Sequence, residues 1–387
     1  MIPRVALGTD RLLTDRLDLI RGRRVGLITN HSGVDHRLRA TADRLHESAD
    51  CRLVALFGPE HGIRGDAADG DLVSGSRDAR TGLPVHSLYG RTQRPEEEML
   101  AGIEVMVYDL QDVGARFYTY LYTMSLSMEA CAGQGIPFVV LDRPNPIGGR
   151  TVAGCVLEPG FASFVGLYPI PIQYGMTVGE LAGLFNELFG LGVELHVVEL
   201  EGWTRSMHWE ETGLPWVPPS PNMPTVDTAV IYPGTCLIEG TNLSEGRGTA
   251  KPFEQLGAPW VDADLLADRL NNLDLPGVRF RPVSFRPTTS KHAGKVCHGV
   301  QLHVLDRGPF QAVRTGLEVL AALRALWPAE FAWRVPAEGI YNFDRLAGTD
   351  RLRLALDEGK PVNEILAGWT PSLDAFAERR RSFLRYA

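Results

Sequence analysis

Four short runs constrain this chain more than anything else in it: "RRVGLIT" (residues 23–29), "RLVALFG" (52–58), "EVMVYDLQDV" (104–113) and "PFVVLDRP" (137–144). Each carries apolar side chains at consecutive positions. A strand with one wet face alternates apolar and polar residues, so a continuous apolar run marks a strand buried on both faces. Helix-like stretches at 38–49 and 118–133 separate the runs, and a helix at 177–190 followed by a strand at 194–203 continues the rhythm. Such alternation predicts an α/β fold, a Rossmann-like doubly wound and mostly parallel sheet.

In sheets of this kind ligands gather at the carboxyl ends of the strands. The segments that follow the four strands are "TNHSG" (29–33), "PEHGIRGD" (59–66), "DLQDVGAR" (109–116) and "DRPNPIGG" (142–149), and all four are expected to meet along one edge. The second presents Glu60 and His61 between Gly58, Pro59 and Gly62. Glycine and proline at those positions hold a turn that a ligand can approach closely.

Beyond these strands lie a proline-dense segment, "LPWVPPSPNMPT" (214–225), expected to be an ordered loop, and a glycine-punctuated loop at 241–254. From about residue 258 the pattern changes to a helix at 261–273, alternating strands at 277–288 and 298–306, and a helix at 311–327. A length of 387 residues suits two units. We expect a catalytic domain over 1–257 and a smaller C-terminal α+β auxiliary domain over 258–387, with the site in the cleft between them.

Several classes of function are disfavoured. A formal charge of -8 argues against nucleic acid or an anionic membrane as the partner, though a basic pocket can exist within an acidic protein. No apolar run reaches the length of a membrane span. The first residues, "MIPRVALGTDRLLTDRLDLIRGRR", hold no continuous apolar segment of the signal-peptide kind, which sets a cytoplasmic expectation. Cys51, Cys131, Cys155, Cys236 and Cys297 are scattered without Cys-x-x-Cys spacing and read as small buried residues. Glu60, His61, Asp66, Asp69, Asp71, Asp109 and Asp112 could gather round a divalent ion, but no His-Glu-x-x-His motif or calcium-loop pattern supports it. The first strand is not followed by Gly-x-Gly-x-x-Gly, and there is no Walker loop and no Gly-x-Ser-x-Gly elbow.

A carbohydrate site fits the inventory better. Tyr118, Tyr120, Tyr122, Trp203, Trp209 and Trp216 offer flat apolar platforms, and Asn30, Asn145, Asn222 and Asn242 offer fixed polar groups. Glycosidic cleavage needs a carboxylic acid to protonate the leaving oxygen and a second group to meet the oxocarbenium-like centre. Glu60 is the best-placed acid, and burial near Tyr118 or Tyr120 would tune it. Glu239 and Glu245 are further loop acids, while Asp109 and Asp142 stand at strand ends, where helix capping is an equal reading.

The motifs "TNHSGVD", "LFGPEHGIRGD", "SLYG", "DLQDVGARFYTYLYTM", "LDRPNPIGG", "EETGLPWVPPSPNMPT", "YPGTCLIEGTNLSEGRGT" and "PFEQLGAPW" follow one another between residues 29 and 260, and "FRPTTSKHAGKVCHGVQLHVLDR" extends them. Together they resemble the exo-β-N-acetylmuramidase family of peptidoglycan-recycling glycosidases. The resemblance implies a Rossmann-like domain with a C-terminal auxiliary domain and a site between them. It implies release of N-acetylmuramic acid from the non-reducing end of peptidoglycan fragments, with no metal or nucleotide cofactor and a muropeptide or fragment sugar as partner. It also implies Glu60 as the catalytic acid, with His61 beside it and a tyrosine of "FYTY", Tyr118 or Tyr120, in support. N-acetylmuramic acid carries a lactyl carboxylate, which a basic side chain can grip. Arg64, Arg116, Arg143, Arg247 and Lys291 are candidates, Arg143 and Arg247 foremost. Two alternatives compete: a non-catalytic muropeptide-binding protein on the same scaffold, and a metal-dependent hydrolase. The sequence leaves the oligomeric state open.

Overall fold

A computed structural model describes residues 5–60, 62–64, 76–335 and 339–387 of the chain. Its larger sheet contains β1 (Arg24–Thr29), β2 (Arg52–Gly58), β3 (Ser76–Arg77), β4 (Pro84–Ser87), β5 (Val105–Asp109) and β6 (Phe138–Leu141). After a separate antiparallel hairpin, β7 (Ala153–Val156) with β8 (Pro171–Gln173), the chain returns to that sheet as β9 (Leu195–Val198). The order is β3-β4-β2-β1-β5-β6-β9. Every neighbouring pair is parallel except β3 with β4.

The consecutive apolar runs are explained by two cores, one on each face. Val105 and Val107 join Leu27, Val139 and Leu141 on one side. Met106 and Tyr108 join Phe57, Phe138 and Val140 on the other. The strand period of two is intact, but both faces are dry, so both sets are apolar.

Strand order reverses between β1 and β5, because the chain runs from β1 out to β4 before coming back to the far side of β1. That switch point opens a crevice at the strand carboxyl ends. The helix Tyr120–Gly133 follows it, and the Tyr108 hydroxyl donates to the Tyr120 carbonyl (3.1 Å) to fix the helix start. The proline-dense segment lies over the same crevice as an ordered loop. His31 Nε2 bonds the Pro218 carbonyl (2.7 Å), and the Tyr120 hydroxyl donates to the Pro219 carbonyl (2.6 Å).

The smaller C-terminal unit is α+β. Its sheet is antiparallel, β10 (Gln255–Ala258), β12 (Cys297–Val304) and β11 (Val278–Phe285) in that order, packed with the helices Ala263–Asn271 and Ala312–Leu326. The helix Val226–Thr235 crosses Ala312–Leu326 backbone to backbone at Gly234 and Gly316, where a Cβ on either residue would collide with the other chain segment. The five cysteines are free thiols, all buried except the half-buried Cys51. Among the described residues no helix is long and apolar enough to cross a membrane.

Candidate active site

Glu60 sits in the turn just past β2, half-buried, at the wall of a cleft of about 910 Å³. From the Tyr120–Gly133 helix and the loop before it come Phe117, Tyr118 and Tyr120. Asn222 enters from the proline-dense loop, and Tyr232, Glu239, Arg247, Phe253 and Arg334 come from farther along the chain. A second lobe of about 380 Å³ shares Glu239, Arg247 and Arg334 and adds Glu245, Lys291 and Arg345. His61, Asp66, Asp69 and Asp71 lie outside the described residues.

Tyr118 and Tyr120 differ in their partners. The Tyr120 hydroxyl accepts from Asn30 Nδ2 (2.9 Å) while donating to Pro219. The Tyr118 hydroxyl is buried without a hydrogen bond of normal geometry among the described residues; Ser220 and Tyr120 stand beside it. Their rings meet edge-on at 4.8 Å, and Tyr118 also meets the Tyr232 ring at 6.1 Å. Burial pushes both phenols well above their ordinary value, and the nearby negative charge of Glu60 adds to it. Both therefore remain protonated at neutral pH.

The far wall is a charge network. Arg247 Nε stands 2.7 Å from Glu239 Oε1 and 3.6 Å from Glu245 Oε1, and Lys291 Nζ stands 2.8 Å from Glu245 Oε2. Burial pushes Glu239 up, against the pull of Arg247. Lys291 also donates to the carbonyls of Ile238 and Thr241 (3.2 and 3.0 Å). Its flanking residues Ser290 and His292 both have left-handed backbones (φ 65° and 59°), as does Phe253 (φ 63°), whose ring lies under the Arg247 guanidinium at 5.2 Å. Two of these three, Ser290 and Phe253, line the cleft, and non-glycine residues held in this region cluster at functional sites in general.

Other expected site residues stand elsewhere, engaged with the protein itself. Arg143 donates through Nε and Nη2 to the two oxygens of Asp109 (2.6 and 3.0 Å), and Thr41 donates to the same carboxylate (2.6 Å). Asp142 accepts from Gly179 N–H (2.8 Å), Thr177 Oγ1 (2.7 Å) and the Tyr386 hydroxyl, and so caps the helix Val178–Leu188. Arg64 is forked onto Asp78 (2.9 Å twice) and reaches Asp43 (3.0 Å). Arg116 is fully buried and donates to the carbonyls of Cys155, Ile170, Leu346 and Ala347 (2.7, 2.9, 2.8 and 2.5 Å). Asn30 carries Tyr120 and Ser32, Asn145 ties Met176 O to Ile147 N–H, and Asn242 ties Glu330 O to Ala332 N–H. None of these eight residues lines either lobe of the cleft. Three aromatics move likewise: Trp203 packs on Tyr386, and Trp209 on Trp216. Sequence reasoning missed Tyr232 and Phe253, although both fall within quoted motifs, and Arg334, which falls in none.

Among the described residues no group of three or more His, Cys, Asp and Glu side chains is placed to hold a metal ion. The sequence matches the family model for the exo-β-N-acetylmuramidase NamZ N-terminal domain over residues 25–227, and the C-terminal one over 230–386. The chain belongs to the exo-β-N-acetylmuramidase NamZ family. It is 51% identical over 384 residues to the peptidoglycan β-N-acetylmuramidase NamZ of Bacillus subtilis (strain 168), covering 99% of this chain and 92% of that one. Two crystal structures of DUF1343 family proteins from Bacteroides fragilis NCTC 9343 resemble it in fold. One has a TM-score of 0.92 at 39% identity, covering all of both chains; the other has 0.79 at 30%, covering 99% of each. The NamZ C-terminal match begins inside the helix Val226–Thr235, so Tyr232, Glu239, Arg247 and Lys291 all belong to it, whereas Glu60, Tyr118 and Tyr120 belong to the N-terminal match. The cleft is thus walled by both parts of a NamZ chain.

Proposed function

We propose that this chain is an exo-acting glycosidase that releases N-acetylmuramic acid from the non-reducing end of peptidoglycan fragments, with Glu60 as the general acid. The observation that carries the assignment is the place of Glu60: past the carboxyl end of β2, on the wall of the cleft that Tyr118 and Tyr120 also line. A carboxylic acid there can hand a proton to the glycosidic oxygen as the bond to the anomeric carbon stretches. Tyr118 supports it, because among the described residues its hydroxyl makes no hydrogen bond of normal geometry that it would give up before meeting the sugar, whereas the Tyr120 hydroxyl is already held on both sides. His61 adjoins the acid in sequence and is assigned a supporting part on that basis alone. Asn222 supplies polar contact with the sugar, and Glu239 and Glu245, held by Arg247 and Lys291, form the polar far wall.

The test is hydrolysis of a chromogenic β-N-acetylmuraminide, with the N-acetylglucosaminide as control, by wild type and Glu60→Gln. Wild type is expected to cleave the muraminide alone, and the variant to lose about a hundredfold or more, the usual scale for a general acid. Sugar binding without cleavage by wild type would instead make the protein a receptor.

A further inference from the structure

N-acetylmuramic acid and N-acetylglucosamine differ by the lactyl ether with its carboxylate. A cation on the cleft wall that the protein does not already neutralise would separate them most directly. Most of the basic candidates fail that condition. Arg64 and Arg143 are forked onto aspartates, and Arg116 is closed round four carbonyls. Arg247 and Lys291 face Glu239 and Glu245 at 2.7 and 2.8 Å. Arg345 lines the smaller lobe but already has a partner.

Arg334 is different. It lines both lobes of the cleft, its side chain is exposed, and its guanidinium makes no hydrogen bond or ion pair among the described residues. Its backbone, by contrast, is fixed. Arg334 N–H donates to Gly240 O (2.8 Å), and Arg334 O accepts from Asn342 N–H (3.1 Å). The preceding Trp333 bridges to Thr241, donates its indole N–H to Asp357 (2.8 Å) and packs on Phe331 and Phe343 at 4.9 and 4.5 Å. The anchor therefore holds the arginine next to the Cys236–Gly240 turn that bears Glu239, with a planar two-pronged donor left for an incoming anion. A guanidinium so placed matches a carboxylate bidentately.

We infer that Arg334 binds the lactyl carboxylate of the substrate sugar and so sets its selectivity for muramic over glucosamine units. This rests on the muramidase reading above, and the experiment separates the two. Wild type, Arg334→Gln and Arg334→Lys are assayed on an aryl β-N-acetylmuraminide, its lactyl methyl ester and the aryl β-N-acetylglucosaminide. Binding of N-acetylmuramic acid and its methyl ester is measured on the same proteins by calorimetry. Arg334→Gln is expected to raise KM for the acid about 10- to 100-fold, the range for losing a charge-assisted hydrogen bond, with kcat nearly unchanged and an unchanged melting temperature. Wild type is expected to lose as much on the ester, the glutamine variant to treat acid and ester alike, and the lysine variant to recover part of the preference. A glutamine variant that keeps the wild-type KM, or still prefers the acid over the ester in turnover or in calorimetry, overturns the assignment. If wild type turns over none of the three, the muramidase reading fails by itself, and the calorimetric preference for acid over ester still decides the role of Arg334.

Discussion

Tyr118 and Tyr120 stand two residues apart with touching rings, yet their hydroxyls face opposite demands. Removing the Tyr120 oxygen takes a donor from Pro219 O and an acceptor from Asn30. Tyr120→Phe should therefore cost about 1–2 kcal/mol in denaturant unfolding. Tyr118→Phe removes a hydroxyl that makes no hydrogen bond of normal geometry among the described residues, so stability should barely change while kcat on a muraminide falls at least about tenfold. Equal effects of the two changes on stability and on rate would refute the division of roles. The sequence could bring both tyrosines to the site but could not separate them, since the difference lies in a proline carbonyl about a hundred residues away. Arg143 shows the same limit. In a strand-end loop an arginine that grips substrate and one that locks an aspartate are spelled alike, and only the fold brings Asp109 under it.

The loop after β5 shows what an element does with buried charge. Asp112 accepts from Gly114 N–H (2.8 Å) and the Tyr174 hydroxyl on one oxygen, while its other oxygen is buried without a partner among the described residues. Burial pushes its carboxyl up from 3.8 to about 6, against those two hydrogen bonds. A raised folded-state value means that the folded loop binds the proton more tightly than the unfolded chain does. The resulting stabilisation is complete below about pH 4 and is lost as pH rises through about 6. Its size is roughly 3 kcal/mol, taking about 1.4 kcal/mol per pKa unit. Asp112→Asn, an uncharged near-isostere, should remove this slope, so wild type minus variant stability should fall between pH 4 and pH 6 in urea titrations. Parallel curves would contradict it. The strands themselves were legible because burial on both faces writes an uninterrupted apolar run, as at Val105–Asp109. The pKa of Asp112 was not, because neither the depth of a loop nor the hydroxyl of Tyr174 can be read from "DLQDVGAR".

Over the whole molecule the cleft depends on how the two walls are held together. Arg116 links the β7–β8 hairpin region to the end of the helix Asn342–Ala347 through four carbonyls, and among the described residues no carboxylate pairs with it. Burial lowers its pKa accordingly. The C-terminus returns to the larger unit, with Arg205 N–H on Ala387 O (2.8 Å) and Arg385 N–H on Glu180 Oε1 (2.7 Å). Arg116→Met should cost at least about 3 kcal/mol, because several buried carbonyls lose their donor together, and should lower kcat/KM by misaligning the walls. Arg116→Lys should not restore either, since an ammonium lacks the planar fork. Full activity in the methionine variant, measured beside its thermal unfolding, would show that the cleft does not depend on this link. The two-unit α/β plan and the motifs at the cleft were readable from order and spacing. The cationic residue at 334 was not: it sits in no motif, and its place follows only from the packing of Trp333 against Phe331 and Phe343.

The central claim is that Glu60 protonates the leaving oxygen, and leaving-group dependence tests it most directly. Wild type and Glu60→Ala are compared on a muramyl disaccharide and on a muraminide bearing a strongly acidic phenol. A general acid is needed for the first and nearly dispensable for the second. The variant should therefore lose at least about a hundredfold on the disaccharide and only a few-fold on the activated phenol. Equal losses on both substrates, or none on either, would contradict the assignment of Glu60.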